Sequence, residues 1–216
     1  MKKYKILLKI IIIAICLILL IVLINIGRKT YILTKITEKS QELSQNENYY
    51  WNVKIGDREI STYRNREKAL TIMDNGLMTI SKNEDLVNTY IDGPEGKIAR
   101  LNEKEDNPNL LIKLPGLILK ENISPVIISA FNSKISGVVE EGKECYLIES
   151  SADAFIIHAS TEKVQIFIDK ETGLPIKMIE YNNEGETTTT TYKDEFNQVT
   201  DEDLKEPDVN EYKVMQ

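Results

Sequence analysis

The sequence predicts a single membrane-spanning helix followed by one α+β domain, in which one or two helices cover an antiparallel sheet of about 11–12 strands. Three observations support this fold class. Residues 6–26 are almost uninterruptedly apolar, short β-branched and aromatic runs separated by turn residues fill much of residues 47–216, and one apolar segment with a helix signal interrupts these runs. The 216-residue chain therefore has room for one anchor and one domain with a substantial core.

Residues 6–26 are predicted to cross a membrane as a signal anchor. No polar side chain occurs from Ile10 to Ile24, and a helix of this length rises roughly 31 Å, which matches the hydrocarbon thickness of a bilayer. Basic residues are more frequent before the span than after it: Lys2, Lys3, Lys5 and Lys9 against Arg28, Lys29 and the more distant Lys35. Because basic flanks stay in the cytoplasm, we expect residues 1–5 inside and the C-terminal domain outside the plasma membrane.

Two other fates of this segment are less well matched by its residues. A cleaved signal peptide ends in small residues, whereas this run ends in Leu23, Ile24, Asn25, Ile26 and Gly27. Lipid attachment at Cys16 after cleavage would need a small residue before the cysteine, where bulky Ile15 stands, and would cut the apolar run in half. Cys16 is therefore interpreted as a small apolar residue in a lipid-facing helix.

The charge of the chain is unevenly distributed and argues against nucleic acid as a partner. Residues 1–29 carry six basic and no acidic side chains, so the whole-chain charge of −7 becomes −13 for residues 30–216. Phosphate backbones repel so acidic a domain. Cys145 is its only cysteine, which excludes an internal disulfide. The high content of Ile, Lys, Asn and Glu is typical of a bacterial genome of low GC content, so the expected location is the bacterial cell envelope.

Residues 30–46 have the spacing of a helix. Ile32, Ile36 and Leu43 recur at helical intervals, and Ser40 completes the stripe. Two arrangements fit: a stalk that continues the membrane helix, or a first helix that folds back onto the domain. Asn46 ends the pattern in either case.

Six strands are predicted before the interruption, joined by turn residues. Asn75-Gly76 is the clearest turn because this pair tolerates the positive φ angles of a tight hairpin. The predicted strands are Tyr49 to Ile55, Glu59 to Arg64, Ala69 to Met73, Leu77 to Ser81, Leu86 to Asp92 and Lys97 to Leu101.

The interruption consists of an apolar segment, Leu110 to Leu119, and a predicted helix from Ser124 to Ile135. The segment is too short and too broken by Pro115-Gly116 to cross a bilayer. Ser124 offers a helix cap, with Pro125 at the first helical position. Two interpretations remain: an apolar lid with a helix that plugs a cavity, or ordinary packing on one face of the sheet.

Further strands are predicted after the helix, and an acidic tail follows them. The strands are Val138 to Glu140, Glu144 to Ser150, Phe155 to Ala159, Val164 to Ile168, Pro175 to Tyr181 and Thr187 to Phe196. In the tail, Val209, Tyr212 and Val214 are expected to dock on the sheet edge.

No constellation in the sequence predicts catalysis, a metal site or a cofactor. His158 is the only histidine, and a Cys145–His158 pair would lack the third residue that orients a base. The carboxylates do not have the spacing of a calcium loop, and a lone external cysteine cannot provide a zinc site. The protein is therefore not expected to be an enzyme.

The segment Val164 to Tyr181, VQIFIDKETGLPIKMIEY, followed by a threonine-rich strand and by Thr200 to Leu204, resembles the C-terminal half of the LolA-like superfamily. The shared feature is a strand that ends in Ile168-Asp169, a turn through Thr172-Gly173 and a next strand that opens with Leu174-Pro175. That superfamily includes lipoprotein carriers, LppX-type lipid-binding lipoproteins and RseB-type sensors. The resemblance implies an open, curved antiparallel half-barrel in residues 47–216 that binds acyl chains or hydrophobic peptides without catalysis.

The leading functional hypothesis is a membrane-anchored extracytoplasmic protein that binds a hydrophobic ligand, either lipid or the acylated end of a lipoprotein. Candidate cavity or lid residues are Leu114, Leu117, Ile118, Ile128, Phe131, Phe155, Ile157, Ile166 and Ile168. The alternative is a sensory or protein-interaction module that regulates a membrane protein partner, since the five residues before the span cannot form a signalling domain. A structural domain of the cell envelope is a third possibility.

Overall fold

The computed structural model describes residues 2–66, 68–83, 86–104, 130–151 and 161–215. These residues form one long helix, α1 (Lys2–Ser44), and a single sheet of twelve strands. The strands are β1 (Asn48–Ile55), β2 (Arg58–Asn65), β3 (Lys68–Met73), β4 (Leu77–Asn83), β5 (Leu86–Gly93), β6 (Gly96–Lys104), β7 (Ser133–Glu140), β8 (Lys143–Ser151), β9 (Thr161–Asp169), β10 (Pro175–Asn182), β11 (Thr187–Phe196) and β12 (Lys213–Met215). A short 3-10 helix spans Val209–Glu211.

The sheet consists of two antiparallel meanders joined side by side. Its order is β12-β6-β5-β4-β3-β2-β1-β11-β10-β9-β8-β7, so β1 to β6 form one meander and β7 to β11 the other. The antiparallel pair of β1 and β11 joins them, and β12 adds to β6 in parallel. Because β12 and β7 lie at opposite ends of this order, the sheet is open.

Most predicted strands agree with the structure, and two local predictions are wrong. The predicted helix that ended at Ile135 ends earlier: residues 130–132 are helical, but β7 begins at Ser133 and places Ile135 opposite Ile148. The predicted strand Val164 to Ile168 begins earlier, because β9 starts at Thr161. In both places the long pairing with a neighbouring strand outweighs the local pattern. The apolar segment Leu110 to Leu119, residues 124–129 of the predicted helix and the predicted strand Phe155 to Ala159 lie outside the described residues.

Helix α1 combines the two arrangements expected for residues 30–46, since it continues the apolar segment and also packs on the domain. It runs without a break from Lys2 to Ser44, and it is the helix in the described part of the chain that is long and apolar enough to cross a membrane. Residues 8–24 are exposed, whereas Ile32, Leu33 and Ile36 are buried. The same helix is therefore both a candidate span and the first helix of the domain.

The second half of α1 packs on one face of β8, β9 and β10, which we call the α1 face. Its side chains there meet a row of aliphatic residues that alternate along the strands, together with Ala130. The cluster comprises Ile32, Leu33, Ile36, Ala130, Ile148, Val164, Ile166 and Ile168. Leu33 and Ile168 are completely buried, and burial of one such side chain stabilises the fold by about 1.5–3 kcal/mol.

Polar contacts fix α1 at two points. The Lys29 ammonium donates to the Ser133 carbonyl at 2.6 Å, at the start of β7. The Lys39 ammonium donates to the Lys170 carbonyl at 2.6 Å, in the turn between β9 and β10. The two lysines are ten residues apart, about 15 Å along the helix axis. The helix thus runs from the end of the sheet where β7 begins to the end where β9 turns into β10.

A second hydrophobic core lies on strands β1 to β6, on the face of the sheet opposite to the α1 face. Leu70, Ile80, Tyr90 and Ala99 are buried there against Val199 and Leu204 of the segment that follows β11. Tyr212 packs edge-on against Tyr90 with ring centroids 5.1 Å apart, and β12 then pairs with β6. The C-terminal segment therefore docks on the sheet edge as predicted, although the Val214 side chain itself is exposed.

Candidate functional site

The predicted cavity residues that fall in the described part of the chain lie in two different environments. Ile166 and Ile168 are buried on the α1 face, where the side chains of α1 cover them. Phe131 is 61% exposed and lies in a surface groove beside the start of β7. Leu114, Leu117, Ile118, Ile128, Phe155 and Ile157 lie outside the described residues.

The groove lies where β7 and β9 begin and β8 and β10 end, and we call it the corner groove. Its volume is about 1120 Å³. It is lined by Phe131, Asn132, Ser133, Lys134, Glu149, Ser150, Glu162, Lys163 and residues 181–185. Antiparallel pairing brings these positions together, since Lys134 lies opposite Glu149 and Lys163 opposite Tyr181.

A hydrogen-bonded network crosses the strands beside the groove. The Tyr181 hydroxyl donates to Gln165 Oε1 at 2.7 Å, and the Gln165 amide donates to Glu149 Oε1 at 2.9 Å. Lys163 Nζ and Lys134 Nζ lie 3.3 and 3.4 Å from the Glu149 carboxylate oxygens. The hydrogen bond from the Gln165 amide and the two lysine ammonium groups hold the pKa of Glu149 below its usual value. The carboxylate therefore stays ionised between two ammonium groups, and the three charges sum to +1.

The rim of the groove adds groups of other kinds. Glu162 and Glu184 bring negative charge, Asn182 and Asn183 bring amides, and Phe131 brings an exposed aromatic ring. The groove therefore presents one exposed ring together with amides and charges of both signs. It does not hold a nucleophile paired with a general base among its described residues.

Cys145, the other residue considered for chemistry, lies in the interior. It is completely buried, and burial together with the nearby Asp169 carboxylate raises the pKa of the thiol. A thiol with a raised pKa is a poor nucleophile because the thiolate is the reactive form. His158, its hypothetical partner, lies outside the described residues, and the described residues do not group His, Cys, Asp and Glu as a metal site would.

Sequence reasoning did not single out Lys134, Glu149, Lys163, Gln165 or Tyr181. Only the strand register shows that they converge. One signal was present: Gln165 is a polar residue inside the apolar strand segment Val164 to Ile168, where a polar side chain needs a hydrogen-bond partner.

No family model matches the sequence, and no curated protein matches it either. Solved structures do match. An uncharacterized conserved protein from Thermus thermophilus aligns over 84% of this chain and 97% of its own, with 10% identity and a TM-score of 0.48. LprF from Mycobacterium bovis aligns over 79% and 94%, with 9% identity and a TM-score of 0.41.

A LolA superfamily protein from Nitrosomonas europaea aligns over 80% of this chain and 97% of its own, with 11% identity and a TM-score of 0.25. Each alignment covers most of both chains at 9–11% identity.

Proposed function

We propose that this chain is a single-pass membrane protein whose extracytoplasmic domain binds a hydrophobic ligand, either lipid or the acyl chain of a lipoprotein, without catalysis. The observation that carries the proposal is the continuity of α1. An exposed apolar stretch and a buried core stripe, Ile32, Leu33 and Ile36, belong to one unbroken helix. A domain attached in this way is held at the bilayer surface, where such ligands reside.

The distances along α1 support a position close to the lipid. The proposed span ends at Ile26, and Lys29, which contacts β7, lies three residues later, a rise of about 4.5 Å. The polar layer outside the hydrocarbon is about 5–7 Å thick on each side. The corner groove beside Ser133 therefore stands at the level of the headgroups, which gives a bound amphiphile a short path from the bilayer.

The location is tested by adding protease to cells whose wall has been removed. Removal of the domain from intact spheroplasts is expected, whereas protection of the domain until the membrane is lysed would contradict the proposed orientation. A soluble domain in the culture medium would contradict retention of the anchor.

Ligand binding is tested by native mass spectrometry of the full-length protein released from its own membranes in a mild detergent. We expect mass additions that correspond to lipid or acylated protein, and uptake of a fluorescent fatty acid. Phe131→Asp should weaken that uptake, whereas Val139→Asp, at a similarly exposed position within β7, should not. A protein free of added mass that also takes up no fatty acid would refute the hydrophobic-ligand proposal.

A second function, regulation of a membrane protein partner, is favoured by one observation. On the α1 face, Ile148, Val164 and Ile168 are fully covered and α1 itself provides the packing partners. A ligand could reach that surface only if α1 moved. A photo-crosslinking residue at Phe131 in living cells separates the two functions: a stoichiometric protein adduct without bound lipid supports interaction, and lipid adducts support ligand binding.

A further inference from the structure

Phe131 is an exposed aromatic ring on a backbone that is held in place on both sides. Ala130 before it is completely buried in the core under α1. The Ser150 hydroxyl donates to the Asn132 carbonyl at 3.3 Å, and the Ser133 carbonyl accepts from Lys29. The ring, 61% exposed, is therefore directed outward by a fixed segment, and water is a poor solvent for it.

The position of this segment relative to α1 sets its height above the proposed span. Ser133 is tied to Lys29, only three residues after Ile26. The segment therefore lies at the level of the lipid headgroups if α1 crosses the membrane, about 4.5 Å of helix rise beyond the hydrocarbon.

Helix α1 carries a cation and an aromatic ring in the first turns after the proposed span, with a second cation one turn later. Arg28, Tyr31 and Lys35 are spaced so that they share one face of the helix, and all three are exposed. Tyr31 is 63% exposed, and Lys35 Nζ lies 5.7 Å from the centre of its ring. Aromatic rings with neighbouring cations are the residues that anchor proteins at membrane–water interfaces.

We infer that the corner of the domain at the Lys29–Ser133 contact, where Phe131 precedes β7 and Arg28 and Tyr31 lie on α1, rests on the lipid headgroups of the same bilayer that α1 crosses, with the Phe131 ring inserted among them. This inference relies on the membrane anchoring proposed above and adds a second, peripheral contact. Two contacts, one through the span and one through this corner, prevent the domain from tilting freely. The mouth of the corner groove, which Phe131 borders, then opens onto the lipid surface.

The test uses tryptophan as a depth probe in the full-length protein. Trp51 is the only tryptophan and is first changed to phenylalanine. Phe131→Trp and Val139→Trp are then introduced separately, since both positions are exposed and Val139, in the adjoining strand β7, is 71% exposed. Six residues from Ser133 to Val139 span about 20 Å of strand, which moves the control away from the bilayer.

Each variant is reconstituted into phosphatidylcholine vesicles that contain brominated acyl chains. Phe131→Trp is expected to be quenched at least about twofold more strongly than Val139→Trp, with a blue-shifted emission, because an interfacial ring approaches the bromine atoms. Equal or absent quenching in protein that floats with the vesicles would overturn the inference.

Flotation on a sucrose gradient distinguishes this failure from failure of the proposed function. A chain that does not float with the vesicles lacks the anchor, which overturns both the inference and the proposed function. In the vesicles, a Phe131→Trp side chain that is shielded from acrylamide yet not quenched by brominated lipid would show that protein rather than lipid covers this corner, and would also overturn the lipid contact.

Discussion

Replacing Gly173 with alanine is expected to loosen the attachment of α1 to the sheet. Gly173 has a φ of +73°, and a Cβ added there would lie 2.8 Å from the Ile36 carbonyl oxygen and 2.8 Å from Lys39 Cβ. The left-handed backbone costs an alanine about 1–2 kcal/mol. The helix must also shift, and overpacking of this kind costs about 1–3 kcal/mol. We therefore expect a loss of about 3 kcal/mol in the free energy of unfolding, or about 6–12 °C in Tm for a domain of this size.

Gly142→Ala is the matched control. Gly142 has a φ of +78°, and nothing lies within 4 Å of the position of its added Cβ. This variant should show the backbone cost alone, about 1–2 kcal/mol. The assay is urea unfolding of the full-length protein in detergent, followed by the fluorescence of Trp51, which packs with Leu43 of α1 in one cluster. Equal losses for Gly173→Ala and Gly142→Ala would refute the argument that α1 sits tightly against Gly173.

Three further predictions concern single side chains. Burial and the Glu206 carboxylate, which accepts from the Tyr90 hydroxyl at 2.7 Å, raise the pKa of Tyr90 from 10.0 to about 12. This folded-state pKa lies above the unfolded value, so the stability that this hydroxyl provides is present below pH 10 and is lost toward pH 12. Tyr90→Phe should cost about 1.5–3 kcal/mol at pH 7 and should remove the loss of stability at high pH. Urea unfolding across pH measures both effects. Burial raises the pKa of Asp194 from 3.8 to about 7, so this carboxyl group lowers the stability of the domain as pH rises from about 4 to about 7. Asp194→Asn should therefore stabilise the domain at pH 8 by about 2 kcal/mol, a value reduced for solvent screening of a half-buried group. The same assay should show little effect at pH 4. Leu33→Ala should cost about 2–5 kcal/mol by leaving a cavity under α1, whereas exposed Thr34→Ala should cost under about 0.5 kcal/mol by thermal unfolding.

Strand positions were largely predictable because turn chemistry and alternation are local properties of the chain. The predicted strand Thr187 to Phe196 coincides with β11. Asn75-Gly76 forms the tight turn between β3 and β4, with Gly76 at a φ of +79°. The prediction that Ile135 belongs to a helix is wrong. Its apolar spacing fits a helix locally, but its pairing with Ile148 places it in strand β7.

The candidate site was much less predictable. Among the predicted cavity residues that the structure describes, only Phe131 lies in the corner groove, because Ile166 and Ile168 point to the α1 face of β9. Alternation along β9 was visible in the sequence, but which face α1 would cover was not. That choice depends on a contact between segments more than one hundred residues apart.

The sequence by itself determined the apolar N-terminal helix, the acidic character of the rest of the chain and the positions of most strands along it, because composition, periodicity and turn residues act over a few neighbouring positions. The tertiary structure alone decided that α1 continues into the core and that Lys134, Glu149 and Lys163 converge beside Phe131. The physical reason is register. Hydrogen bonding between strands and the packing of α1 fix which distant residues become neighbours, and residue spacing along the chain carries no record of that pairing.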